Sequence, residues 1–242
     1  MLELAEHRAL VSGGGSGIGL ACAQALTRAG AHVTVMGRRE APLTAAMDAG
    51  AAQAMIVGDA AHPPVLRGFS ILVNAAGAAA SAPFLKTQDS DFRDALEANL
   101  ISAVALSRAV LPGMLEAGRG RIINIASIAA LKGYAYVAPY VAAKHALLGF
   151  TRALALEVAA RGVTVNAICP GFTETALLAE SVGRITAATG RDDAQARAQL
   201  AQNNPQGRLF QPEEIAALVV FLCGDQAHGV NGAALPVSGG EV

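Results

Sequence analysis

Short apolar runs alternate with longer helical stretches along most of this chain. Seven runs rich in Val, Ile, Leu and Ala predict strands at residues 8–12, 32–36, 54–57, 71–74, 121–125, 164–168 and 233–237. Several runs are continuously apolar, which is typical of parallel strands covered on both faces. The stretches between them predict helices at residues 18–29, 91–116, 139–161 and 212–223. This alternation predicts an α/β fold, a doubly wound parallel seven-stranded sheet in a single domain spanning residues 1–242.

Residues 172–211 interrupt the alternation. The segment is polar and Ala-rich, carries Arg184, Arg191 and Arg197, and ends in Asn203-Asn204-Pro205. Two short helices forming a small lid over a site would fit this composition. A solvated surface excursion is the alternative.

The connection between the third and fourth predicted strands is unusually short. Only eleven residues separate Asp59 from Ile71, and they include Pro63 and Pro64. A parallel crossover usually needs a dozen or more residues, generally with a helix. We therefore expect a turn or one short helical turn here. Either a neighbouring segment fills the gap on that side of the sheet or the surface is exposed.

A glycine-rich loop follows the first predicted strand and opens the first helix. It reads Ser12-Gly13-Gly14-Gly15-Ser16-Gly17-Ile18-Gly19. Glycines allow a tight turn and let backbone N–H groups approach a pyrophosphate at the positive end of the helix dipole. The strand–glycine–helix order predicts a Rossmann-like dinucleotide site, although a purely structural turn is the alternative.

The end of the second strand bears on the choice of nucleotide. An acid there would bind the adenosine ribose, whereas an arginine accommodates a 2′-phosphate. Gly37 occupies the place of the acid, and Arg38 and Arg39 follow. The pattern favours NADP over NAD, but Glu40 is an acid close by, and the two arginines could also be an ordinary solvated pair.

Tyr140 and Lys144 are four residues apart in a predicted helix, so their side chains share one face. An unperturbed tyrosine has a pKa of about 10, and a nearby cation lowers it towards the range that proton transfer needs. Ser127 lies upstream, at the end of the apolar run 122–126. The spacing alone is a weak signal, because such pairs are common on solvated helices.

Composition narrows the possible partners. Hydrophobic residues make up 53% of the chain and charged residues 15%, which suggests additional surface buried between subunits. The net charge of −1 gives no general attraction to nucleic acid or to an anionic membrane.

Cysteine usage and the ends of the chain suggest a cytoplasmic protein. Cys22, Cys169 and Cys223 are scattered, so we expect neither a metal site nor a disulfide framework. No uninterrupted apolar run approaches the roughly 18 residues of a membrane span. We expect no signal peptide, because the first residues lack a long apolar core.

Several short motifs, in one order, resemble those of the short-chain dehydrogenase/reductases over nearly the whole chain. Beyond the glycine loop, they are Asn74-Ala75-Ala76-Gly77, Asn99, the set Ser127, Tyr140 and Lys144, residues 166–171, and Ser238-Gly239-Gly240. Ala75 and Ser238 depart from the family's Asn and Asp. The pattern is similar to 3-oxoacyl-thioester reductases and 3-hydroxyacyl dehydrogenases. Members normally place a full helix in the crossover that is short here.

The resemblance implies a role for each catalytic candidate. Tyr140 would exchange a proton with the carbonyl oxygen, Ser127 would hydrogen-bond that oxygen, and Lys144 would bind the nicotinamide ribose and lower the pKa of Tyr140. Asn99 would hold a water in a proton relay. The implied cofactor contacts are Ser12, Gly13, Gly15, Ser16, Gly17, Ile18, Gly19, Arg38, Arg39, Asp59, Ala60, Asn74, Ala75, Gly77, Tyr140, Lys144, Pro170, Gly171, Thr173 and Thr175.

The resemblance also implies a homotetramer packed through residues 99–116 and 139–161, whose apolar side chains would not all face one sheet. A monomer with unusually apolar helices is the alternative. The expected reaction interconverts a ketone and a secondary alcohol, with an acyl thioester or another apolar carbonyl compound as substrate. Two other functions remain: a non-catalytic or nucleotide-sensing subunit, and a lyase such as a halohydrin dehalogenase. The glycine loop and Lys144 argue against the lyase.

Overall fold

Seven parallel strands form one sheet in the computed structural model, which describes residues 4–242. The strands are β1 (Arg8–Ser12), β2 (His32–Gly37), β3 (Ala54–Val57), β4 (Ile71–Asn74), β5 (Gly120–Ile125), β6 (Val163–Pro170) and β7 (Ala234–Val237). Their spatial order is β3-β2-β1-β4-β5-β6-β7. The order reverses direction between β1 and β4, which is where such sheets bind ligands. The predicted fold class is confirmed.

Eight α-helices accompany the strands in the described part of the chain. They are α1 (Gly17–Arg28), α2 (Glu40–Asp48), α3 (Asp89–Leu96), α4 (Ser102–Ala117), α5 (Ala138–Val158), α6 (Ala176–Thr189), α7 (Asp193–Ala201) and α8 (Pro212–Cys223). Successive strand residues point to opposite faces. Val11 and Val73 pack with α1 and α8, whereas Leu10 and Leu72 pack with α4 and α5. The sheet is therefore buried on both sides, as its continuous apolar strands predicted.

Two features of the helices differ from the sequence prediction. Helix α2 was not predicted; it is half apolar and buries only Leu43 and Ala46. The helix predicted at residues 91–116 is interrupted by a π-helical turn at Glu97–Ile101. The whole stretch Asp89–Ala117 is long and apolar enough to cross a membrane by length and composition alone. In this fold its α4 part packs on the sheet through Leu106, Val110 and Met114.

The short crossover between β3 and β4 contains no helix in the structure, as predicted. Leu66 and Phe69 are each 7% exposed and join the core on the α4 and α5 face. The Arg8 guanidinium lies 5.2 Å from the centre of the Phe69 ring. The crossover itself therefore covers the sheet where a helix would otherwise lie. Its tip is open to solvent, since Val65 is 82% exposed.

The segment 172–211 forms the two predicted helices, α6 and α7. They enclose a small apolar cluster of Leu178, Val182 and Ala196, against which Phe172 packs. Thr175 caps the start of α6, and its hydroxyl accepts a hydrogen bond from the N–H of Leu178. The segment is thus an ordered helical pair with its own core, and its role as a lid stays a prediction.

Candidate active site

A cavity of about 940 Å³ opens at the carboxyl ends of the strands, around the point where the strand order reverses. Its wall comes from the loops after β1, β2, β3 and β4 and from the start of α5. From the predicted set it is lined by Gly13, Gly15, Ser16, Gly17, Ile18, Gly19, Arg38, Arg39, Asp59, Ala60, Ala75, Gly77, Asn99, Tyr140, Lys144 and Thr175. Such a volume suits a large organic ligand.

The glycine loop is too tightly packed for side chains, as Gly13 and Gly19 show. A Cβ on Gly19 would overlap the carbonyl oxygen of Gly13. Gly13 has a φ of +66°, and a Cβ there would lie 3.0 Å from the carbonyl oxygen of Ala75. Ser16, just before α1, makes no side-chain cap bond. The first N–H groups of α1 are therefore available to an anion, as a pyrophosphate cradle requires.

Ser12 and Asn74 lie behind the cavity wall instead of lining it. The Ser12 hydroxyl accepts hydrogen bonds from the N–H groups of Ala75 and Ala76, at 3.1 and 3.2 Å. The Asn74 amide donates to the side-chain oxygen of Asn124 at 2.8 Å, which ties β4 to β5. Both residues thus shape the loop that lines the cavity, which differs from the direct contact that we predicted.

Pro170, Gly171 and Thr173 also lie outside the cavity lining. Pro170 ends β6, the N–H of Gly171 donates to the Val237 carbonyl at 2.9 Å, and the Thr173 hydroxyl donates to the Gly171 carbonyl at 2.9 Å. These bonds fix the start of the segment that presents Thr175 to the cavity.

Arg38, Arg39 and Asp59 line one end of the cavity, beyond β2 and β3. The Asp59 carboxylate accepts a hydrogen bond from the N–H of Ala61 at 3.0 Å. This bond, with smaller contributions from His62 and Arg38, lowers the pKa of Asp59. This end of the cavity therefore carries one anionic carboxylate and two guanidinium groups.

Tyr140 and Lys144 lie one turn apart on α5, at the other end of the cavity. The Lys144 ammonium is 5.6 Å from the centre of the Tyr140 ring and donates to the Ile125 carbonyl at 2.9 Å. Lys144 is only 4% exposed, and burial lowers its pKa to about 8. Ser127 follows β5 and accepts a hydrogen bond from the N–H of Ala129 at 3.0 Å. The fold thus brings together the three side chains that the spacing singled out.

The Tyr140 phenol does not have the lowered pKa that we predicted from Lys144. Burial raises its pKa, and a hydrogen bond with Ser127 only partly opposes that effect. Because the Lys144 ammonium is directed to the Ile125 carbonyl, it is not the group that sets the phenol's pKa in this arrangement. Ser127 is the side chain that favours the phenolate here.

Asn99 sits in the π-helical turn and is 1% exposed. Its amide nitrogen donates to the carbonyl oxygens of Ala78 and Ala95, both at 2.9 Å. Its side-chain oxygen has no hydrogen-bond partner among the described residues. A Cβ on Gly77 would come within 2.6 Å of that oxygen and 3.7 Å of the Lys144 ammonium nitrogen. An acceptor is therefore held beside Lys144, as a water relay requires.

One polar cluster near the site was missed by sequence reasoning. The Tyr134 hydroxyl donates a short hydrogen bond to the Glu241 carboxylate, and the Lys132 ammonium lies 3.0 Å from the same oxygen. More than a hundred residues separate the partners along the chain, so no local spacing reveals the contact.

Comparison with known proteins agrees with this geometry. The sequence family described as enoyl-(acyl carrier protein) reductase matches residues 13–241. The 3-oxoacyl-[acyl-carrier-protein] reductase FabG of Vibrio cholerae is 38% identical over 251 residues, covering 99% of this chain and 98% of that protein. The chain belongs to the short-chain dehydrogenase/reductase family. It is thus an oxidoreductase that interconverts ketones and secondary alcohols with a nicotinamide cofactor.

Solved structures of other short-chain dehydrogenase/reductases share the complete fold. An actinorhodin polyketide ketoreductase variant with NADPH superposes with a TM-score of 0.90, at 34% identity, covering 100% of this chain and 99% of that one. L-Sorbose reductase from Gluconobacter frateurii, complexed with NADPH and L-sorbose, gives a TM-score of 0.92 at 31% identity, with 99% and 98% covered. The shared scaffold serves carbonyl substrates of very different polarity, so substrate choice depends on local side chains.

Proposed function

We propose that this short-chain dehydrogenase/reductase uses NADP(H) to interconvert a 3-oxoacyl thioester, or a similar apolar ketone, with its secondary alcohol. One observation carries the proposal: Tyr140, Lys144 and Asn99 line the same cavity as Arg38 and Arg39. Ser127 is not in the cavity lining but is hydrogen-bonded to Tyr140. This places the carbonyl chemistry and an anionic nucleotide tail at opposite ends of one site.

The cavity fits a dinucleotide on features of this chain. The backbone at Gly13 and Gly19 leaves no room for side chains, and the start of α1 leaves N–H groups free for a pyrophosphate. Thr175 lies beside the glycine loop, since a Cβ on Gly17 would be 3.1 Å from its Cγ2 atom, and Tyr140 borders the same cavity. When bound there, a nicotinamide supplies or accepts the hydride.

The protein's own residues handle the proton and the developing charge. Tyr140 donates its phenolic proton to the carbonyl oxygen in reduction and recovers a proton in oxidation. Ser127 donates a hydrogen bond to that oxygen and stabilises the developing alkoxide. Lys144 would bind the ribose hydroxyls of a bound cofactor, and the side-chain oxygen of Asn99 would hold a water through which protons return to Lys144.

The acyl-thioester substrate is supported by two comparisons and by the lid. The names of the Vibrio cholerae relative and of the actinorhodin structure both describe ketoacyl or polyketide ketone reduction. The lid arginines already have partners: Arg197 binds Glu174 and Asp193, Arg191 binds Gln199, and Arg184 binds Ser181. Each of these guanidinium groups makes a contact within the lid, so we expect the acyl portion to supply most of the affinity.

We further propose a homotetramer in the cytoplasm, without nucleic-acid or membrane partners. The net charge of −1 supports the last two points. Among the apolar residues of α5, the chain itself buries Leu147, Leu148 and Val158. Leu156 remains 84% exposed and carries the argument for a subunit contact.

The test is turnover of ketones and 3-oxoacyl thioesters by wild type and Tyr140→Phe, followed at the nicotinamide absorbance band with both cofactors. Wild type should reduce 3-oxoacyl N-acetylcysteamine and coenzyme A thioesters with similar KM. Tyr140→Phe should lower kcat by about 10²–10⁴-fold, because the proton donor is lost. Its affinity for NADPH, measured by cofactor fluorescence, should stay within a few-fold. Substantial turnover by this variant would refute the role of Tyr140.

A further inference from the structure

Glu241 is an almost fully buried acid near the end of the chain. Its side chain is 2% exposed. One carboxylate oxygen accepts the short hydrogen bond from Tyr134 and lies 3.0 Å from the Lys132 ammonium. The other carboxylate oxygen is buried and has no hydrogen-bond partner in the described part of the chain. Burying a carboxylate costs free energy unless the carboxylate is paired and hydrogen-bonded. The contacts with Tyr134 and Lys132 are therefore needed to keep Glu241 buried in this position.

Lys132 and Tyr134 belong to the segment at residues 131–137, here called the substrate loop. Ser127 precedes this loop and Tyr140 follows it, so the two residues that face the carbonyl flank it in sequence. The backbone of the loop is anchored at its start, where the N–H groups of Leu131 and Lys132 donate to the Ile128 carbonyl, and by the N–H of Ala82, which donates to the Tyr136 carbonyl at 2.8 Å. Tyr136 is itself 65% exposed with a φ of 68°. Glu241 therefore supplies its principal side-chain attachment.

Tyr134 also connects the loop to the base of the lid. Its ring meets the Phe172 ring edge-on, with 6.1 Å between centroids. Phe172 packs against the apolar cluster inside the lid and accepts a hydrogen bond from the N–H of Phe210 at 2.9 Å. Displacing Tyr134 would thus disturb both walls around the carbonyl.

The segment that carries Glu241 is held firmly in place. Ser238 is 3% exposed, and its carbonyl accepts a hydrogen bond from the N–H of Glu241 at 3.2 Å. Gly239 lies so close to the Asn204 side chain that a Cβ would overlap it. Asn204 in turn donates to the Arg208 carbonyl at 2.8 Å. Glu241 therefore attaches the substrate loop to a fixed point.

We propose that Glu241 is a positioning residue that holds the substrate loop through Tyr134 and Lys132 and so determines which carbonyl compounds the site accepts. The proposal rests on the proposed carbonyl reduction. It predicts a specific kinetic signature. Glu241→Gln keeps the size of the side chain but removes its charge, which weakens both contacts and loosens the loop.

The kinetic test compares Glu241→Gln with wild type and with Glu116→Gln, which makes the same charge change on an exposed residue of α4. For a long-chain ketone or thioester, Glu241→Gln should raise KM about tenfold, as expected for loss of a charge-assisted hydrogen bond. Its kcat should stay within a few-fold, and its KM for NADPH should not change. Tyr134→Phe should give the same pattern, and the double variant should be no worse than either single variant.

Two readouts do not depend on turnover. Burial and the Glu241 carboxylate raise the pKa of Tyr134 strongly. The chain has three tyrosines and no tryptophan, so phenolate absorbance is easily resolved. In Glu241→Gln one tyrosine should ionise at lower pH, and trypsin should cleave faster after Lys132.

The outcomes separate the two proposals. An unchanged substrate KM in Glu241→Gln, or equal losses for substrate and cofactor, would overturn the positioning role. Unchanged tyrosine titration and unchanged proteolysis would overturn the contact itself. If wild type reduced no carbonyl compound, the proposed function would fail, while the titration and the proteolysis would still judge whether Glu241 holds the loop.

Discussion

At the scale of single residues, Lys144 combines a functional position with an energetic cost. It is 4% exposed, and the Ile125 carbonyl is its one hydrogen-bond acceptor in the described structure. Burial favours the neutral amine, which is why its pKa falls to about 8 from an ordinary value of 10.5. Residues at active sites often carry such strain in exchange for function.

This pKa shift fixes the sign of a stability prediction. A lowered pKa means that the folded state disfavours the charged form, so below pH 8 it bears the full cost, on the order of 3 kcal/mol. The cost fades as pH rises from 8 towards 10.5. Lys144→Met should therefore unfold at a higher temperature than wild type at pH 7, with a smaller advantage at pH 9.5.

Thermal unfolding of the ligand-free protein checks this, with Lys86→Met as the control at an exposed lysine. Lys144→Met should also lose turnover, since the ribose contact and the proton relay both need the amine. A lower unfolding temperature for Lys144→Met at pH 7 would show that burial does not penalise the ammonium.

Sequence reasoning identified the residue types of the site but not all of their partners. Ser127, Tyr140 and Lys144 could be found because they lie close together in sequence, at the end of one strand and on the helix that follows. Ser12 and Asn74 were assigned to the cofactor, yet their bonds cross from β1 to the β4 loop and from β4 to β5. Glu241 was missed because its partners are distant in sequence. Contacts between remote segments depend on the completed fold.

At the scale of elements, the strands were predicted well and the helices less so. A strand buried on both faces leaves a continuous apolar run, which is readable from sequence. Helix α2 is hard to predict from the sequence, because it buries only Leu43 and Ala46 and so shows little apolar periodicity. The π-helical turn at Glu97–Ile101 differs from an α-helix only in its hydrogen-bond pattern, which residue types do not encode. Yet this turn is what places Asn99 beside Lys144.

The connection from β2 to α2 determines the expected preference for NADP. Arg39 immediately precedes α2, and Arg38 lies one residue earlier, so both guanidinium groups start from a rigid strand end. Arg38→Ala should raise KM for NADPH by roughly 10–100-fold, because a charge-assisted bond to the 2′-phosphate is lost. KM for NADH should change little, since that cofactor lacks the phosphate.

Steady-state kinetics with both cofactors measure this effect. Arg161→Ala, at an exposed position after α5, is the matched control. Equal increases in KM for NADPH and NADH would contradict the proposed preference, and would leave the arginines as solvated surface charges.

At the scale of the whole molecule, the proposed tetramer would form through the outer face of α5. That face carries the small residues Ala142, Gly149 and Ala153 near the exposed Leu156, together with the polar side chains of His145 and Arg152. Small residues let two helices approach closely. A two-fold axis would bring each Leu156 against the Leu156 of the partner helix or against a neighbouring turn of that helix.

Leu156→Glu should break this contact, because it would bury carboxylates in an apolar interface. Light scattering after size exclusion should give about 98 kDa for wild type, four 24.5-kDa chains, and a smaller mass for the variant. Val65→Glu is the control at another exposed apolar position. A wild-type mass of one chain would exclude the tetramer.

The short crossover after β3 makes the molecule convenient to attach to other materials. Its exposed tip at residues 63–65 is outside the cavity lining, while Leu66 and Phe69 secure the remainder against the sheet. Cys22, Cys169 and Cys223 are all buried. A single thiol introduced at the tip would therefore be the one within reach of a maleimide, and would tether the enzyme to a bead or an electrode in one defined orientation.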